Sequence, residues 1–502
     1  MADSFPSVPS DEGRECPADD ARSLDPHDWD ELRTLAHAML DQAFDHQQHV
    51  RRRPVWQPVP QAVRSAIGEK LPREPQGAAS VSRDLCQWIL PYTTGNTHPR
   101  FFGWVHGTGT PGGIIAEMMA AAINANCGGR DHAAVYIERQ VIAWFRTLFG
   151  LPAAASGLLV SGTSMATLIA LNVARNAKAG IDVRQDGIAA APTQLVAYAS
   201  QQAHGSTDKA MEILGLGRRA LHRIPVDGAG RMDAGALAAR IAADRSAGLA
   251  PFCIVATAGT VNTGAFDPLE DIAAIAAAED LWLHVDGAFG ALAILSEADS
   301  HKVRGIERAD SLAFDFHKWL HVPYDAGMVL IRDGDRHRAA FGSKHDYLAG
   351  AERGLAAGEP WFCEFGPELS RGFRALKVWF TLKEHGIRRL GEKIGDNCRQ
   401  AEQLAELIAG HDRLEPMAPV ALNIVCFRYT DPDLDGAETD RLNERIVIEL
   451  QERGIAAPST TRLNGRLAIR VNITNHRTRS DDLRILTDAV LEIGGRITAA
   501  AH

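Results

Sequence analysis

The sequence predicts an α/β protein built on a mostly parallel sheet, with a smaller α/β unit at its C-terminal end. Two observations carry this. Between about residue 150 and 331, short apolar runs alternate with amphipathic helical stretches, the pattern of strand–helix–strand crossovers that cover both faces of a sheet. From about 386 to 502 a second succession of helix, strand, helix, strand and helix follows, enough for a compact unit of its own.

Residues 1–27 are rich in Pro, Ser, Asp and Glu and are expected to form a disordered tail. Leu32, Leu35, Met39, Leu40 and Phe44 then recur at helical spacing, one apolar stripe on a polar helix that needs a partner surface. Arg51, Arg52 and Arg53, with Pro54, Pro58 and Pro60, end that helix, and the arginines read as a solvated charge run. Further helices are expected over 60–69 and 81–90, closing an N-terminal helical segment, 28–99. The aromatic and glycine-rich stretch His98–Gly107 reads as a pocket-lining loop before a helix over 114–124.

Within the large unit, 100–385, strands are expected over 157–160, 195–199, 252–258, 281–286, 311–316 and 326–331. Helices are expected over 164–176, 206–214, 233–243 and 267–279. The stretch 342–367 lacks periodicity and reads as a disordered loop or a functional lid. A long helix starting at Arg371 runs into the C-terminal unit, 386–502, where strands 422–429 and 466–473 alternate with helices 437–453 and 480–499.

Composition narrows the function classes. The 502 residues are 45% hydrophobic and 23% charged, as in a soluble globular protein, and a net charge of −10 leaves no basic excess for nucleic acid. The 7 cysteines are scattered without a C-x-x-C pair, so reduced thiols, a cytoplasmic setting and no metal site are expected. No leader-like start and no long apolar run point to secretion or to a membrane.

The chemistry gathers at strand ends. The run Ser311–Leu320 carries Lys318 between His317 and Trp319; an amine there is costly to keep charged, which favours a nucleophilic, Schiff-base lysine. The run Leu281–Asp286 ends in a carboxylate able to hold the protonated ring nitrogen of pyridoxal 5′-phosphate. Ser161-Gly162-Thr163-Ser164, between a strand and a helix, offers N–H groups and hydroxyls to a phosphate. His204, in a similar strand-to-helix turn, is placed to stack on a pyridine ring. Taken singly, each has a bland alternative: a snorkelling lysine, a turn-capping aspartate, an ordinary N-cap, a surface histidine.

In this order, Ser161–Ser164, Ala203–Ser206, His284–Ala288 and Asp315–Leu320 resemble the group II pyridoxal-phosphate-dependent decarboxylases, the family of aromatic-L-amino-acid decarboxylase. His98–Phe102 and Arg371–Lys377 agree with that resemblance. It implies fold type I with a seven-stranded sheet, an N-terminal dimerisation segment, and a homodimer with its active site at the subunit interface. It implies that Lys318 carries the cofactor, Asp286 holds the ring nitrogen, His204 and Ala288 flank the ring, and Thr163 and Ser164 bind the phosphate beside His317. The implied reaction is decarboxylation of an L-amino acid to its amine and CO2.

Three positions depart from the family pattern. Phe362 falls, in an ungapped comparison, where the family has a proton-donating loop tyrosine, and Tyr347 lies in the same loop at a different place. That substitution raises oxidative deamination to an aldehyde as an alternative, with transamination or a non-catalytic binding protein behind it. In the expected substrate pocket, which also takes in Trp104 and Phe362, Val105 and His106 stand where aromatic-specific members place aromatic and proline residues, and Asn126, Gly128 and Arg130 follow. Polar groups there favour a polar or acidic side chain over an indole or catechol and leave an aromatic one open, with an interface ion pair as the alternative for Arg130. Asp315 stands where the family often carries Asn near the phosphate, and a second negative charge there either raises the acid's pKa or demands a nearby cation.

Overall fold

The computed structural model describes residues 23–342 and 350–500. The expected tail lies almost wholly outside the described residues, as does Tyr347. By their contacts these residues form two units, one made of the chain up to Gln48 with Pro60–Pro91, the other of His49–Val59 with everything from Tyr92 onward.

The first unit holds the helices Trp29–Gln48, Gln61–Ile67 and Ala78–Asp84. The expected helix over 81–90 is not one α-helix: it passes into a π-helical turn at Leu85–Ile89 and a tighter turn at Leu90–Tyr92. Nothing in Trp29–Gln48 is fully buried, so the stripe of Leu32, Leu35 and Met39 is only partly covered within this chain.

The second unit contains twelve strands in two sheets. In chain order they are β1 (Phe101–Phe102), β2 (Ser156–Val160), β3 (Leu195–Ser200), β4 (Leu221–Ile224), β5 (Ala250–Thr257) and β6 (Trp282–Asp286). They continue with β7 (Ser311–Asp315), β8 (Gly327–Ile331), β9 (Leu414–Pro416), β10 (Ile424–Tyr429), β11 (Ala457–Leu463) and β12 (Arg466–Asn472). The seven-stranded sheet has the order β2-β8-β7-β6-β5-β3-β4, and β8 alone is antiparallel to its neighbours. Consequently β2, β3, β5, β6 and β7 all end at the same edge. Their side chains are buried on both faces, as in β3 and β6, which is why they read as continuous apolar runs.

The five-stranded sheet, β1-β11-β12-β10-β9, packs its apolar face against the helices Ile387–Ala409, Gly436–Glu452 and Ser480–Ala499. Its edge strand β1 comes from far upstream and pairs Phe101 with Ala457 and Phe102 with Pro458. Both phenylalanines are therefore sheet core, and only the residues after them are left to line a pocket. The long helix expected from Arg371 is two helices, because Arg374–His385 ends at Gly386, whose φ of 71° suits glycine and breaks the run before Ile387. Arg51 is not a solvated charge: its Nη1 lies 3.0 Å from both carboxylate oxygens of buried Asp482. No helix among the described residues is long and apolar enough to cross a membrane.

One unpredicted helix, Ala133–Leu148, ties the sheet to the segment beyond the loop. Its buried Glu138 accepts from both Nη atoms of buried Arg371, at 2.6 and 3.1 Å, and from Leu159 N at 3.0 Å, near the end of β2. Removing one partner strands the other charge in the interior. Glu138→Ala should therefore lower stability by about 3–5 kcal/mol in urea unfolding. A loss below about 1 kcal/mol, the range of exposed pairs, would contradict the account.

Candidate active site

The strand ends of the larger sheet enclose a cleft of about 530 Å³. From β2 and the helix Thr163–Lys178 come Ser161, Thr163 and Ser164, and from the turn after β3 come His204 and Ser206. Thr257 and Val261 follow β5, Asp286 and Ala288 follow β6, and Asp315, His317 and Lys318 follow β7. Trp104, Val105, His106 and Tyr324 close the cleft with a largely aromatic wall. Gly107 makes this wall possible, because a Cβ there would stand 1.8 Å from the carbonyl oxygen of His317.

Charge is arranged in pairs. Strand β7 ends at Asp315, and Lys318 sits one helical turn further on, in Phe316–Trp319, with its Nζ 2.8 Å from Asp315 Oδ2. Lys318 is thus the cation that Asp315 demands. The other oxygen, Oδ1, accepts from Thr163 N at 2.7 Å, so one carboxylate fixes both the amine and the start of the helix Thr163–Lys178. Asp286 Oδ1 accepts from Ala288 N at 3.1 Å. Burial pushes the Asp286 carboxyl above the usual range, an effect that the positive charge of Lys318 opposes.

His204 and His317 share a tautomer, each accepting a main-chain N–H at Nδ1, but differ in setting: His204 is exposed and His317 buried. His204 Nδ1 accepts from Ser206 N at 3.2 Å, which places the proton of the neutral ring on Nε2. Burial lowers the pKa of His317 against the pull of Asp315, and lowers that of His106 with help from Lys318 and His317. The His106 ring stacks on Phe101 and Trp104, with centroids 5.6 Å apart in each case, and Tyr324 lies 4.3 Å from the His317 ring.

Three residues expected in a substrate pocket do not line the cleft of their own chain. Asn126 Oδ1 is occupied as an acceptor for Gly128 N and Arg371 N. Arg130 lies over the Trp361 ring at 4.1 Å, and Phe362 is buried under the guanidinium of Arg371. Conversely, Thr257 and Tyr324 were missed. Thr257 ends a strand that was foreseen, and a search of every strand end would have found it; Tyr324 follows an irregular turn that carries no such signal.

The residues fit pyridoxal phosphate. Thr163 Oγ1 and Thr257 Oγ1 are buried in the cleft wall without a hydrogen-bond partner among the described residues, which leaves hydroxyl capacity for a polar group entering it. A start of helix beside Ser161, Thr163 and Ser164 suits a phosphate, an exposed imidazole and a small alanine suit the two faces of a ring, and a buried carboxylate suits a protonated ring nitrogen.

The sign of the Asp286 effect yields a test on the cofactor-free protein. A carboxyl whose folded pKa lies above its unfolded value of about 3.9 binds its proton more tightly when folded. Its penalty is absent below the unfolded value and complete above the folded one. Cofactor-free Asp286→Asn should hence melt above the wild type near neutral pH, with the gap closing as the pH falls toward about 4. A lower melting point for the variant at neutral pH would contradict this.

Comparison with known proteins agrees with the geometry. Residues 60–430 match the family model described as pyridoxal-dependent decarboxylase conserved domain. An aromatic-L-amino-acid decarboxylase of Bacillus atrophaeus is 36% identical over 458 residues, covering 90% of this chain and 93% of that one. An L-2,4-diaminobutyrate decarboxylase of Rhizobium meliloti (strain 1021) is 32% identical, covering 84% and 83%. The crystal structure of Oryza sativa TDC with PLP and tryptamine superimposes with a TM-score of 0.86 at 25% identity, covering 95% of this chain and all of that one. The chain belongs to the pyridoxal-dependent decarboxylase family, carboxy-lyases whose cofactor is pyridoxal phosphate.

Proposed function

We propose that this enzyme decarboxylates an L-amino acid with an aromatic side chain to the corresponding amine and CO2. The observation that carries the choice of side chain is the wall of Trp104, His106 and Tyr324 beside Lys318, in a cleft with no arginine among its lining residues. The polar residues that argued for a polar or acidic substrate, Asn126 and Arg130, are engaged in local structure outside that cleft. The aromatic activities named for relatives, including the bacterial protein above, support the same reading.

When bound, pyridoxal phosphate supplies the electron sink for the pair released as CO2 departs. Lys318 provides the amine that carries it, and Asp286 keeps its ring nitrogen protonated. Thr163 and Ser164 hold the phosphate, with His317 beside it. Ala288 would leave one ring face open, and His204 would cover the other, with Nε2 carrying the proton of its neutral ring. That imidazole is the proposed proton donor after CO2 loss. Oxidative deamination to an aldehyde is the second reading, because Phe362 cannot donate a proton; its ring is covered within its own chain.

The cleft is proposed to be completed by a second copy of the chain, in a homodimer. Ile115, Met118, Met119 and Ile123 form an exposed apolar face on the helix Pro111–Ile123, and Trp29, Val81, Leu85 and Ile89 are exposed in the N-terminal helices. A second copy would bury these surfaces, with residues 28–99 as a dimerisation segment.

Purified holoenzyme offered a panel of L-amino acids should release CO2 and amine in equal amounts from aromatic substrates. Hydrogen peroxide and aldehyde equal to CO2 would replace this reading by the oxidative one, and a preference for acidic substrates would overturn the choice of side chain.

A further inference from the structure

One row of side chains on the five-stranded sheet stands behind the cleft wall. Cys426, Arg470 and Ser459 are cross-strand partners on β10, β12 and β11, and so stand on one face. Arg470 is buried, and no carboxylate is paired with it among the described residues. Its donors go instead to main-chain carbonyls and to Ser459 Oγ, which accepts from Nη1 at 3.3 Å. Nε donates to Val261 O at 2.8 Å, Nη2 donates to the same oxygen, and Nη1 donates to Trp104 O at 2.9 Å. Val261 and Trp104 both line the cleft, from segments far apart in sequence.

The row extends this grip. Cys426 Sγ donates to Asn262 O at 3.3 Å, and Thr461 Oγ1 donates to Asn262 Oδ1 at 2.8 Å. Asn262 Nδ2 in turn donates to Gln202 Oε1 at 2.8 Å, in the turn that carries His204. Trp104 is the part most in need of support, since its φ of 48° is an uncommon conformation for a bulky residue. A buried guanidinium whose partners are carbonyls and one hydroxyl, with no carboxylate among the described residues, is also unfavourable unless its donors are used. Each of these two features compensates for the other.

We propose that Arg470 is a positioning residue that clamps the Trp104 and Val261 segments together, and so sets how tightly the cleft grips the substrate side chain. This rests on the aromatic reading above. Arg470 touches none of the residues proposed to hold the cofactor, so its effect should fall on substrate binding and spare cofactor binding. The planar fork of arginine reaches two carbonyls at once, whereas lysine offers a single point of contact.

Holoenzymes carrying Arg470→Lys and Arg470→Met are compared with the wild type for cofactor affinity, melting point, KM and kcat. For the best aromatic substrate, Arg470→Met should raise KM about tenfold or more, the scale of a lost hydrogen bond to a charged group. Cofactor affinity and kcat should stay within about threefold, since no group proposed for the chemistry is displaced. Arg470→Lys should fall between, with a melting point near that of the wild type. An unchanged KM in both variants would overturn the proposal, as would a parallel loss of cofactor affinity and KM in the well-folded lysine variant. Failure of the functional reading looks different: the wild type itself would then release no CO2 from aromatic substrates.

Discussion

Two buried carboxylates and one partly exposed amine at a single sheet edge form the constraint around which the chain is arranged. Asp286 and Asp315 are both buried at the ends of neighbouring strands, where ionised groups are stable only with partners. Asp315 resolves its charge by taking Lys318 and the N–H of Thr163. Asp286 has the N–H of Ala288 and the more distant field of Lys318, and its carboxyl is correspondingly lifted. A site left in that condition has capacity for a cationic ring nitrogen, and the unpartnered hydroxyls of Thr163 and Thr257 extend that capacity to other polar groups.

The surrounding fold supplies positions rather than chemistry. A sheet whose strands, β8 excepted, end together brings residues from 161 to 318 into one cleft, and the antiparallel insertion of β8 leaves β2 and β7 ending at that same edge. The buried Glu138–Arg371 pair anchors the chain beside β2, close to the Ser161–Ser164 turn. The C-terminal sheet holds the aromatic wall by its carbonyls, through Arg470. Function at this edge therefore depends on side chains that never face the cleft.

Much of this was legible in the sequence, for a physical reason. Strands buried on both faces must be apolar throughout, so β3, β5, β6 and β7 announce themselves, and charged groups at their ends stand out against that background. Strand β4 escaped because His222 and Arg223 interrupt it, and β11 because its Ser-Thr-Thr-Arg run reads as a loop. The helix Ala133–Leu148 escaped because Glu138 stands on its buried face, neutralised by an arginine far downstream that no local pattern reveals. Asn126 and Arg130 are engaged, within their own chain, in a turn and a ring contact that their neighbours in sequence do not reveal.

The central claim is that the amine of Lys318, and no other, faces the cofactor across the cleft from Asp286. Borohydride reduction of the holoenzyme followed by peptide mass mapping tests this most directly. The account predicts a single phosphopyridoxyl adduct on Lys318; an adduct on any other lysine, with Lys318 unmodified, would contradict it.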